Sequence, residues 1–147
     1  MAHVFPYDNV VAGVLLLVVG FAFHFLGQGI SVLNWELATR LGLQEEGMPD
    51  EYKVYEHAIA VADASVGWIY GVAGVGLLLD VSWGYRLAWF PGAILLYHAI
   101  SFWVWTGNQR KAGRQLATSK TPLRVGWTIA NLVTAALAIV LAWKASG

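Results

Sequence analysis

VVAGVLLLVVGFAFHFLGQGISVL, residues 10–33, runs from Val10 to Leu33 without an Asp, Glu, Lys or Arg. A helical residue rises 1.5 Å, so crossing a hydrocarbon core of ~30 Å takes about 20 residues. This stretch is long enough. In lipid every backbone N–H and C=O must be satisfied within the segment, so a run of this length is a helix and not a strand. Three further stretches of the same kind lie at Val54–Leu79, Gly84–Thr106 and Leu123–Trp143. The expected architecture is an all-α, integral membrane four-helix up-down bundle, with residues 1–147 forming a single transmembrane domain.

Composition agrees. Of the 147 residues 58% are hydrophobic and 12% charged, and the mean hydropathy is +0.57. A water-facing domain carries about a quarter of its residues as charges, so this chain cannot cover a solvated surface. The formal net charge is zero, which offers no basic field for nucleic acid. There is no cysteine, which excludes disulfides, thiolate metal sites, thiol nucleophiles and c-type haem attachment. Met1–Asn9 carries no Lys or Arg, so the first span reads as a retained helix and not a cleaved signal peptide.

Tyr7, Trp35, Tyr52, Trp83, Tyr85 and Trp143 stand near span ends, where aromatic anchors collect. Asn34–Lys53 reads as a polar loop with a short helix over Trp35–Leu43, and Asp50 as the N-cap of the second span. Val81–Ser82 reads as a tight hairpin, Gly107–Thr121 as a basic loop, and Pro122 as the opening of the fourth helix. Arg40, Lys53, Arg110, Lys111, Arg114, Lys120 and Arg124 fall on one side, against Arg86 and Lys144 on the other. The positive-inside rule therefore places both larger loops in the cytoplasm and both termini on the non-cytoplasmic side. The expected location is the cell (inner) membrane.

The polar residues inside the apolar runs sort by helical spacing into one stripe per helix. His24, Gln28 and Ser31 align with Gly13, Gly20 and Gly27. Glu56, Ala60, Asp63, Gly67, Gly71 and Gly74 form a second stripe. His98, Ser101 and Trp105, extending back to Pro91, form a third, and Thr128, Asn131 and Ala135 a fourth. Small residues let membrane helices approach, and polar residues avoid lipid, so each stripe is expected to face the interior. Counting along each helix puts His24, Asp63, His98 and Asn131 roughly 12–14 Å from the cytoplasmic boundary. They are expected to line one cavity opening toward that side.

A buried Asn or Ser is first of all a helix-to-helix hydrogen bond, and His57 and Ser65 fall off the stripes. Asp63 is different, because a carboxylate at this depth costs at least ~2.5–3.5 kcal/mol. Its expected partners are His24 and His98, and an Asp–His pair can hold or pass a proton. The candidate catalytic residues are Asp63, His24, His98 and Glu56. Gln28, Asn131, Trp68, Tyr70, Tyr97, Ser101 and Trp127 are candidates for substrate contact.

Four readings stay open. The first is a membrane enzyme that protonates a double bond or removes an allylic proton of a lipid or isoprenoid, with Trp68, Tyr70 and Trp127 as cation-stabilising faces. The second is haem b or quinone binding, through His24 and His98. The third is a proton-coupled transporter subunit, and the fourth a structural subunit of a larger membrane complex. A carboxylate-bridged di-metal site is not expected, since no Glu-x-x-His motif occurs; retinal is not expected, since no lysine lies within a span. The expected partners are membrane lipids, a hydrophobic small molecule, and further copies or subunits. In architecture alone, a compact four-helix bundle with buried acids and histidines resembles sterol isomerases and related sterol-binding membrane proteins.

Overall fold

The computed structural model describes residues 4–114 and 120–146. Those residues are helical with no strand among them. Four helices are long and apolar enough to cross a membrane: α1 (Asp8–Leu33), α3 (Asp50–Leu78), α4 (Ser82–Lys111) and α5 (Thr121–Lys144). A short helix, α2 (Trp35–Arg40), follows α1 directly. Its N-cap is Asn34, whose side-chain oxygen accepts from the Leu37 backbone N–H at 2.9 Å.

Three of the long helices depart from regular α geometry. The middle of α1, Leu16–Phe25, is π-helical. Its wider turns put Leu16, Gly20 and His24 inward at steps of four. Helix α3 has a break at Gly67. Helix α4 breaks at Ala88. Pro91 lies three residues later, where its ring displaces the preceding turn and it can donate no hydrogen bond.

The connections differ in part from expectation. Pro49, not Asp50, occupies the cap position of α3, and no side chain caps it. The acids Asp50 and Glu51 lie within the first turn instead, where they favour the helix dipole. The basic stretch from Gly107 is helical as far as Lys111, because α4 continues beyond the expected boundary. Residues 115–119 of that stretch lie outside the described residues. The turn between α3 and α4 spans Leu79–Val81, and α4 already begins at Ser82. Asp80 takes the left-handed conformation there (φ 53°). It closes α3 with Asp80 N–H bonded to Leu77 and Val81 N–H to Gly76.

Small residues bring the helices together at the end of the bundle that holds this turn. The carbonyl of Gly74 on α3 lies 2.9 Å from where a Cβ on Gly13 of α1 would stand. Across the turn, a Cβ on Gly84 would lie 2.3 Å from the carbonyl carbon of Gly76. The buried core gathers at the same end: Ala12 and Leu16 of α1, Ala73 and Leu77 of α3, and Ala138 and Leu141 of α5. Helices α4 and α5 pack along much of their length, and α1 packs against α3. At the opposite end the loop after α2 folds inward. Gln44 is buried, and its side chain donates to Ser31 Oγ at 3.1 Å.

Candidate functional site

The polar stripes of the four long helices meet. From α1, Gln28 Nε2 donates to Asp63 Oδ2 on α3 at 3.2 Å. The other carboxylate oxygen, Oδ1, lies 3.3 Å from His98 Nε2 on α4. The His98 ring packs on the His24 ring of α1 with centroids 4.6 Å apart. His24 Nε2 is 2.7 Å from Asn131 Oδ1 on α5. Gln28, Asp63, His98, His24 and Asn131 thus form one connected chain through all four spans.

The protons in this chain can be placed by elimination. Asn131 Nδ2 donates to the Trp127 carbonyl at 2.8 Å, so it is the amide oxygen that faces His24. An amide oxygen only accepts, so His24 Nε2 carries a proton and donates it. An ionised Asp63 likewise only accepts, and it then faces a protonated Nε2 on His98. In a neutral imidazole the other nitrogen, Nδ1, is then the basic atom. His98 differs from His24 in its backing. Behind His98 stands a carboxyl group, and behind His24 a neutral amide.

This chain borders a cavity of about 980 Å³, the upper part of the range for small-molecule sites. His24, His98, Gln28, Glu56, Tyr97 and Ser101 reach its wall, as does Trp127. The Trp127 ring lies 4.8 Å from the His24 ring, centroid to centroid. Asp63 and Asn131 stand behind the two histidines instead of on the wall itself. Tyr70 is also set back: it stacks on His24 at 5.9 Å and is buried with its hydroxyl lacking a hydrogen-bond partner. Trp68 does not join the group; it is 54% exposed on the outer face of α3.

Several wall residues were not among the sequence candidates. Arg124, in the first turn of α5, is buried, and its Nη2 lies 2.8 Å from Glu45 Oε1. Lys120 Nζ lies 3.8 Å from the other oxygen of Glu45. Glu45 belongs to the loop after α2, together with Gln44, whose Oε1 accepts from Tyr52 at 3.5 Å. The acidic pair Glu45–Glu46 and the cations opening the fourth span were visible in the sequence. Their meeting depended on the fold of the loop.

The two histidines do not fit as axial ligands on opposite faces of one haem. Their rings are already at the contact distance of an aromatic pair, which leaves no room for a third planar group between them. Each also commits its Nε2 to a protein partner. No group of three or more His, Asp and Glu residues suited to a metal ion occurs among the described residues.

The fold and this Asp/His chain are compatible with a multi-pass membrane protein. No family model matches the chain, and no curated protein or solved structure matches it either.

Proposed function

We propose that this protein is a membrane enzyme that performs acid–base chemistry on a lipid or isoprenoid held in the cavity. The observation that carries the reading is the juxtaposition of two differently backed histidines on the wall of a large, mainly apolar cavity. In this reading the helices run up and down through the cell (inner) membrane. The cavity end faces the cytoplasm, by the distribution of Lys and Arg.

The chemistry follows from the two backings. His98, charged against Asp63, gives its proton to a carbon–carbon double bond of the substrate. The resulting cation lies against the face of Trp127, which stabilises it electrostatically. Neutral His24 removes an allylic proton through its free nitrogen, and the C–H electron pair forms the displaced double bond. His24 then gives up the gained proton to water and His98 takes one from water, which resets both groups. The net result is a double-bond shift with no change in oxidation state. Asp63, Gln28 and Asn131 act through the histidines as positioning residues. Glu56, on the wall of the cavity, lies on the proton's way in from water.

The test uses purified protein with its co-purifying lipids in D₂O. Deuterium should enter an unsaturated lipid, as read by mass spectrometry. Asp63→Asn should slow this by about 10²-fold or more, the scale of general acid–base catalysis. No deuterium beyond a protein-free control would sink the enzyme reading. The same polar chain would then serve only to hold the helices together, as in a structural subunit.

A further inference from the structure

We infer that the cavity takes a long-chain amphiphile with an anionic, phosphate-like head, and that Glu45 holds the head's place on Arg124 and Lys120. This rests on the cavity being a substrate site, and adds the chemical class of the substrate.

The cavity is long and graded. On α1 its wall runs from Val18 to Ser31, somewhat under ~20 Å, because residues 18–25 are π-helical and rise less per residue than the ~1.5 Å of an α-helix. Val18, Val19 and Phe23 form its apolar end, where Val19 is buried and Val18 and Phe23 open to the outer face of α1. Arg124, Lys120 and Glu45 form the opposite end. The histidines lie between them: seven helical positions separate His24 from Ser31, or roughly 10 Å. A single extended chain with a polar head matches this order. Its head sits at the mouth, its reacting carbon about 10 Å further in, and its tail beyond.

The mouth is already configured for an anion. Arg124 directs both Nε (3.3 Å) and Nη2 (2.8 Å) at one oxygen of Glu45. Lys120 lies 3.8 Å from the other oxygen. Two cations therefore share one carboxylate. A guanidinium fork and an ammonium are the groups that recognise phosphate. Glu56 is the other carboxylate on the wall among the described residues.

Glu45 is also placed to yield. It lies between Gly42 (φ +74°) and Gly47 (φ +70°), both in the left-handed region that favours glycine. Nothing lies within 4 Å of where a Cβ would stand on either. Displacing Glu45 gives up the contacts of the neighbouring Gln44 with Ser31 on α1 and with Tyr52 on α3 and replaces the carboxylate on Arg124 with the ligand's own anion.

The experiment places the full chain in phosphatidylcholine nanodiscs and follows the change in its tryptophan fluorescence, to which Trp105 and Trp127 on the wall contribute among the eight tryptophans. Hexadecyl phosphate, hexadecanol and inorganic phosphate are titrated separately. Hexadecyl phosphate should bind roughly tenfold more tightly than hexadecanol, the worth of one charge-assisted hydrogen bond. Inorganic phosphate should not compete with it. Arg124→Gln should remove the preference while hexadecanol still binds. Glu45→Gln, which removes the internal competitor, should tighten hexadecyl phosphate roughly threefold.

Equal binding of the two chains by the native protein overturns this inference and leaves the cavity reading standing. Binding of neither overturns both. Looser binding by Glu45→Gln, or full competition by inorganic phosphate, also overturns the inference. Repeating the titration in phosphatidylglycerol nanodiscs identifies the source of the anion. Competition there assigns the mouth to a bilayer phospholipid, and unchanged affinity assigns it to a separate single-chain phosphate; either result supports the anionic head.

Discussion

The two ends of the bundle are made from the same kind of helix and differ in what lies between them. At the end with the α3–α4 turn, glycine meets glycine, as at Gly13 and Gly74 or Gly76 and Gly84. At the cavity end, Gly29, Gly107 and Gly126 have nothing within 4 Å of where a Cβ would stand. A glycine in a membrane helix therefore does not by itself mean close packing. It does so where a neighbouring element comes in to fill the space, with its backbone as at Gly74 or with a ring as Tyr70 does at Gly20. Where polar side chains and the Gln44–Glu45 loop set the spacing, the helices stay apart and the space between them is a cavity.

The largest effect should come from disturbing the tight end. Gly84→Ala forces a Cβ against the Gly76 backbone and should cost about 3 kcal/mol, the upper range for overpacking. Gly126→Ala, beside the cavity, should stay within about 1 kcal/mol and on the stabilising side, since alanine is the better helix former. Thermal unfolding of both variants in the same micelle reads the contrast. Equal losses would mean that the ends do not differ in packing.

A middle-sized effect should follow from breaking the polar chain. Asn131→Leu leaves the Nε2 proton of His24 without its acceptor and should cost about 1–3 kcal/mol. Stability unchanged from the native chain would show that His24 is held by something other than Asn131.

The smallest effect concerns the boundary between the ends. The Tyr70 ring fills the space beside Gly20, and its hydroxyl has no partner. Tyr70→Phe should be neutral or stabilise by up to ~1 kcal/mol, because an unpaired buried hydroxyl contributes nothing to offset its desolvation. A clear loss on chemical denaturation would place an ordered water on that hydroxyl.

Helix existence and inward faces were legible because both depend on local pattern. His98 meets Asp63 as expected, but the other expected partner, His24, bonds Asn131 instead, and Gln28, counted a turn or more nearer the cytoplasm, is the residue that reaches Asp63. What each residue does within the group was less legible. Asp63 and Asn131 stand behind the histidines and not on the cavity wall, a matter of side-chain direction that spacing does not resolve. Trp68 is one position from Gly67 on the inner stripe, yet faces outward. Glu45 and Arg124 are 79 positions apart, and no periodicity links a loop acid to a helix cation at that separation.

By itself the sequence determined four helices long and apolar enough to cross a membrane, with one small or polar face on each. That follows from length, hydropathy and the need to satisfy backbone groups in lipid, all properties of a segment in isolation. Only the tertiary structure decided where those faces close and where they stand apart. It stacked the two histidines, gave one a carboxylate and the other an amide, and set an arginine and a glutamate at the cavity mouth. Those outcomes depend on pairs of distant side chains competing for the same space, and a single run of residues carries no record of that competition.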